Sequence, residues 1–160
     1  PNFGMPPVVL NKNCRNTQKI FEALQPYQSL QTSIMGNAPV GADVHILHGD
    51  CRANLSAELE RLVMAEQIPL QNIVILGAHS LEHTSLWQST DIGRFHIVPR
   101  EAELGKMEVA YYTYMKFKGC KAKVVILFEV NDADPRWRDN CGIYTAMSRA
   151  VHELIILRKD

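Results

Sequence analysis

The sequence predicts an α/β domain with a mostly parallel sheet covered by helices on both faces. Three observations lead there. The chain has 160 residues, the size of one ordinary domain, and 46% of them are apolar, enough for a real core. Short apolar runs alternate along the chain with segments of helical period. The runs Ile73-Val74-Ile75-Leu76 and Val124 to Val130 are apolar at nearly every position, as in strands buried on both faces.

The elements follow in order. Val8-Val9-Leu10 is a short β-branched run and an opening strand. A helix capped near Asn16 or Thr17 comes next, with Ile20, Phe21 and Leu24 as its apolar face and Pro26 at its end. Asp43-Val44-His45-Ile46-Leu47 alternates like a strand. Leu55, Leu59, Leu62 and Val63 recur at helical spacing and predict a helix over Leu55 to Gln67, closed by Ile68-Pro69-Leu70. Ile73 to Leu76 ends at Gly77 and reads as a central strand. Phe95 to Val98 and Val109 to Thr113 are shorter strands. The segment Ser85 to Met107, with Gly93, Pro99 and Gly105, breaks the rhythm and reads as loops around one short strand. After the strand Val124 to Val130 comes a polar loop, Asn131 to Asn140. A helix over Cys141 to Val151 and a last strand, Leu154 to Leu157, complete the chain.

Composition narrows the function classes. Seventeen basic residues balance seventeen acidic ones, so any nucleic-acid contact must come from local patches. No apolar run approaches the roughly 20 residues of a membrane span. The opening PNFGMPPVVL has neither a basic n-region nor a long apolar h-region, and it lacks an initiator Met. The chain is therefore expected to be a domain of something longer. Cys14, Cys51, Cys120 and Cys141 form no C-x-x-C pair, which argues against a zinc ribbon and a thioredoxin-like motif, and with no secretory signal a reduced, cytoplasmic setting is expected. His79 and His83 stand at i, i+4, but the glutamate of H-E-x-x-H is missing, and turn or surface histidines are the favoured reading.

Three polar clusters are expected at the carboxyl ends of strands, where open parallel sheets bind ligands. They are Asn13-Cys14-Arg15-Asn16, Thr113 to Lys121, and Tyr144 to Ala150. Each carries a cation or a hydroxyl suited to phosphate. The second contains KFKGCKAK, four lysines around Gly119 just before the strongest strand. Alone, such a run reads equally as a solvated turn or as charge that keeps a strand soluble. Tyr111, Tyr112 and Tyr114 could stack bases, although alternation puts at least one in the core.

Taken together, the clusters resemble the C-terminal, second RecA-like domain of superfamily 1 DNA helicases of the UvrD/Rep type. NCRN is similar to motif IV, TYMKFKGCKAKVVIL to motif V and IYTAMSRAVHELIIL to motif VI, in the family's order and over roughly Val8 to Leu157. The resemblance implies a three-layer RecA-like (P-loop NTPase-type) fold over residues 1–160. It implies that Arg15 approaches the ATP γ-phosphate and that Arg149 acts as a finger on the transferred phosphoryl group. It places Gly119 and Lys121 on the nucleotide side. On the nucleic-acid side it places Thr113, with Lys116, Lys118, His79 and Ser80 as further candidates there, and it makes Lys118-Gly119 the turn toward the strand. Two positions depart from the pattern. Met115 stands where many relatives have histidine. Lys121 stands where the family has a glutamate that contacts the ribose, and a lysine accepts no hydrogen bond, so it either faces a phosphate or points to water.

No G-x-x-x-x-G-K-[ST] occurs in the chain. The resemblance therefore implies half of a composite ATP and Mg²⁺ site, completed by an N-terminal RecA-like domain of the same parent, with single-stranded DNA as substrate. It also implies a compact form, since only Gly77 to Val109 stands where large relatives insert an accessory domain. A non-catalytic helicase-derived module, binding nucleic acid or a protein, is the second function class.

Overall fold

The computed structural model describes residues 12–13, 16–28, 33–34, 36–99, 103–139 and 142–159. The expected opening strand Val8 to Leu10, Cys14 and Arg15 lie outside the described residues.

Strand β1 (Lys12–Asn13) leads to helix α1 (Gln18–Leu24), which starts at Thr17, whose hydroxyl accepts the N–H of Ile20. Pro26 turns the chain out of α1 through a 3₁₀ turn, Gln25–Tyr27. β2 (Ser33–Ile34) pairs with β1 in parallel. β3 (His45–His48) leads into α2 (Cys51–Leu59). The helix begins earlier than expected because Asp50 caps it, accepting the N–H groups of Arg52 and Ala53. It does not run unbroken to Gln67. From Glu60 to Ala65 the backbone widens into a π turn, and Gln67 takes a left-handed φ of 56°.

β4 (Ile73–Gly77) follows. The segment after it holds two 3₁₀ turns, Leu81–His83 and Ser85–Gln88, then the short hairpin of β5 (Asp91–Ile92) and β6 (Phe95–Pro99). β7 (Glu108–Thr113) and β8 (Ala122–Val130) come next. The polar loop after β8 is not all loop. Asp134 caps a short helix, α3 (Pro135–Arg138), because Pro135 supplies a preset φ and Trp137 finds a buried place. Helix α4 (Gly142–Met147) ends four residues short of the expected Val151. Ala150 is already paired with Ala122, so β9 runs over Ala150–Arg158 and the expected Leu154 to Leu157 is only its middle.

Among the described residues the main sheet has seven strands in the order β3-β9-β8-β4-β7-β6-β5. Every pairing is parallel except β5 with β6. Alternation along the central strands builds two cores. Ile73, Ile75, Val124, Ile126, Phe128, Ile155 and Leu157 face α2 and the π turn, with Leu55, Leu59 and Leu62. Val74, Leu76, Val125, Leu127, Leu154 and Ile156 face the opposite way, against α1, α3 and α4 through Ile20, Leu24, Trp137, Ile143 and Met147. The result is the three-layer, RecA-like α/β arrangement expected from the sequence.

Candidate functional site

Parallel strands give the sheet two chemically different edges, and the candidate residues divide between them. Thr113 ends β7, paired with Gly77 at the end of β4. Arg149 and Lys121 do the opposite: they immediately precede β9 and β8. The expectation that all three polar clusters lie at carboxyl ends is therefore wrong for Arg149 and Lys121. The chain crosses the sheet between Thr113 and Ala122, so the one motif-V-like stretch begins at the carboxyl edge and ends at the amino edge.

At the amino edge Arg149 and Lys121 are neighbours, because Ala122 pairs with Ala150 and its N–H donates to the carbonyl of Arg149 at 3.0 Å. The Arg149 guanidinium is half-buried and held by its own domain. Nε donates to the carbonyl of Thr145 at 3.2 Å, Nη1 to that of Cys120 at 3.4 Å, and Nη2 to the Ser148 hydroxyl at 3.2 Å. The buried Asn16 amide donates to the carbonyls of Ala150 and Ser148, which ties the start of α1 to the turn that carries Arg149. Gly119 has φ of 86°, a left-handed value that any other residue would adopt at a cost, and it lets the chain turn into β8. Lys121 is exposed on the rim of a cavity of about 990 Å³, beside Lys123 and His152, with Tyr112 and Phe117 among its lining residues. Arg15 lies outside the described residues.

At the carboxyl edge Ser80, Thr113 and Lys116 line a cavity of about 560 Å³ with Pro99, Tyr111 and Tyr112. The Thr113 hydroxyl accepts the N–H of Lys116 at 3.2 Å. Lys118 does not join them. It lines a separate recess with Met115, Tyr114, Arg136 and Thr145. Of the three tyrosines, Tyr111 and Tyr114 are buried. Burial raises the pKa of both, and their hydroxyls donate to the carbonyls of His79 and Arg136.

His79 Nε2 lies 2.6 Å from Asp134 Oδ2 and so joins the loop after β4 to the one after β8. Burial opposes the charge of Asp134, but the backbone N–H of Arg136 and the His79 ring outweigh it and hold the carboxylate below its usual range. His83 bonds Ser80 instead, at 2.8 Å. Among the described residues no group of three histidine, cysteine or acidic side chains could hold a metal ion.

Sequence reasoning missed two features. The first is an ionic cluster around Arg61, on the π turn. Its Nη2 meets Glu58 at 2.6 Å and Glu153 at 2.7 Å, and His45 Nδ1 lies 3.3 Å from Glu58. Burial works against the Arg61 charge, yet the hydrogen bonds it donates to Glu153 and Glu58 prevail and hold it more firmly protonated than usual. The i, i+3 spacing of Glu58 and Arg61 was legible; Glu153, on the last strand, was not. The second is Glu129, at a bulge in β8 with a left-handed φ of 56°, whose Oε1 accepts the N–H of Ser85 at 2.9 Å. No local sequence signal marks it.

No helix among the described residues is long and apolar enough to cross a membrane. No protein-family model matches the chain, and no curated protein matches it. Among solved structures it is similar to the C-terminal domain of a possible DNA helicase from Lactobacillus plantarum WCFS1. The TM-score is 0.60 at 16% identity, over 91% of this chain and 86% of that one. At that identity the likeness is one of fold.

Proposed function

We propose that the chain is the C-terminal motor half of an ATP-dependent superfamily 1 DNA helicase or translocase of the UvrD/Rep type. One observation carries the reading. Of the residues assigned to nucleotide, Lys121 and Arg149 stand side by side at the amino edge, while Ser80, Thr113 and Lys116, from those assigned to nucleic acid, line one cavity at the carboxyl edge. A single stretch, Thr113 to Lys121, links the two. A motor domain needs that arrangement, because closure on nucleotide must be felt where the strand is held. The fold shared with the C-terminal domain of a possible DNA helicase supports it.

The amino edge fits ATP phosphates and not their metal. It offers guanidinium and ammonium donors, which suit phosphate oxygens. Mg²⁺ and the phosphate cradle belong to the N-terminal RecA-like domain of the same parent. ATP with Mg²⁺ supplies the phosphoryl group whose transfer drives the cycle. Arg149, positioned by Thr145, Ser148 and Cys120, stabilises the charge that develops on it, with Arg15 as its partner. Single-stranded DNA is the substrate and the cytoplasm the setting.

In the full-length parent, Arg149→Ala is expected to lower DNA-stimulated ATP hydrolysis by about 10³- to 10⁵-fold with unchanged circular dichroism. Unchanged turnover refutes the assignment. The lysine at position 121 favours a second reading, a helicase-derived binding module without an ATP cycle. A G-x-x-x-x-G-K-[ST] upstream in the parent reading frame supports the motor; a parent without one supports the module.

A further inference from the structure

Trp87 is 59% exposed, the other tryptophan, Trp137, only 2%. A singly exposed apolar side chain is ordinary on a protein surface, so what distinguishes Trp87 is the backbone that carries it. Its 3₁₀ turn is fastened from both ends by Arg52, whose Nη1 donates to the carbonyls of Ser85 at 2.9 Å and Ser89 at 2.8 Å. Glu129 holds the N–H of Ser85, and the adjoining Leu86 is fully buried. The backbone N–H of Trp87 donates to the Thr84 carbonyl at 3.2 Å. The indole is thus presented outward by a backbone that is fixed beneath it, which lowers the ordering cost of any contact it makes.

Its neighbours along the chain decide what it meets. Glu82, His83, Gln88, Ser89 and Asp91 are polar and exposed. A protein partner would want contiguous apolar area, and these exposed neighbours along the chain supply none. A single flat ring with polar edges needs only the indole face. The acidic neighbours are each set against a histidine, Glu82 with His83 and Asp91 with His96. Trp87 also lies on the same connection as Ser80, which lines the cavity of Thr113 and Lys116 at the carboxyl edge.

We propose that Trp87 is a stacking platform for an unpaired base of a single strand held along the carboxyl edge. The inference rests on the nucleic-acid side of the proposed function and adds to it a contact outside the three motif-like segments.

The test uses the chain with an oligothymidylate of about 12 nucleotides, unlabelled for the tryptophan emission and fluorescein-labelled for the anisotropy. Tryptophan emission is expected to fall over the same concentrations at which the label's anisotropy rises. Trp137 is too deeply buried to be touched, so the quenching belongs to Trp87. Trp87→Ala is expected to weaken binding by about 5- to 150-fold, and Trp87→Phe by much less. Because stacking releases no counterions, the loss should be equal at about 50 and about 200 mM salt. Wild-type affinity in Trp87→Ala, or equal quenching by a hairpin duplex, overturns the stacking role and leaves the nucleic-acid face standing. If the wild-type chain does not bind the oligonucleotide, the nucleic-acid reading fails and this inference with it.

Discussion

The hydroxyl of Tyr111 occupies the space that a side chain on Gly77 would need. The same hydroxyl donates to the carbonyl of His79 at 2.6 Å, so the ring locks the end of β4 to the loop that leaves it. Gly77 is therefore required for packing, since its φ is not left-handed. Gly77→Ala must push the ring aside and is expected to cost about 1–3 kcal/mol. In a Tyr111→Phe background the same change should cost less, because the nearest overlap is gone. Urea midpoints for the four proteins check it; equal costs in both backgrounds would show that the two residues are not coupled.

Glu153 is expected to matter more to stability than a surface carboxylate does. It is buried on β9 and meets Arg61 at 2.7 Å, ninety-two positions away in sequence. Glu153→Ala leaves a partly buried guanidinium with Glu58 and Glu66 as its remaining partners. Breaking a buried pair from one side costs up to about 3–5 kcal/mol, and these partners should hold the loss near the lower end. Chemical denaturation at neutral pH measures it. A loss below about 1 kcal/mol, typical of exposed pairs, would mean the cluster behaves like surface charge.

Asp134 should give the fold part of its acid sensitivity. Its carboxylate is held below the ordinary 3.8 in the native state. The folded state therefore binds the proton less readily than the unfolded one. The contribution is complete above the unfolded range and disappears as pH falls through the lower folded value. Asp134→Asn keeps an N-cap for α3 but removes the charge. The variant is expected to be less stable than wild type at pH 7 and to lose less on acidification. Stability curves that stay parallel below pH 4 would contradict this.

Arg52 is expected to govern the rigidity of the turn that presents Trp87. Arg52→Ala removes donors to the carbonyls of Ser85, Ser89 and Asp91. Amide exchange should quicken across residues 85–91 while β4 and β8 stay protected, because the turn opens locally and the sheet does not. Unchanged protection of the turn would show that Glu129 and Leu86 suffice to hold it.

Much of the fold was legible. Ile73 to Leu76 and Val124 to Val130 could only be central strands, because apolar residues at successive positions need cover on both faces. Thr17 and Pro26 bracket α1 for purely local reasons. Boundaries that depend on a partner strand were not legible. Val151 was expected in the helix, yet α4 ends at Met147 and the ladder between Ala122 and Ala150 pulls the chain into β9 first. The π turn after Leu59 arises where Arg61 is gathered in by Glu153, a residue no window around Leu59 contains.

The candidate site divides the same way. The sequence by itself supplied the chemistry: the lysines around Gly119, Arg149 after Ser148, and the hydroxyl of Thr113. It did so because residue types and local spacing decide what a segment can bind. Only the tertiary structure decided where that chemistry stands. In a parallel sheet every connection must return across the layer, so residues close in sequence can end on opposite edges. Thr113 and Lys121, eight positions apart, do so. Arg149 and Lys121, far apart in the chain, meet because the strands they precede lie side by side.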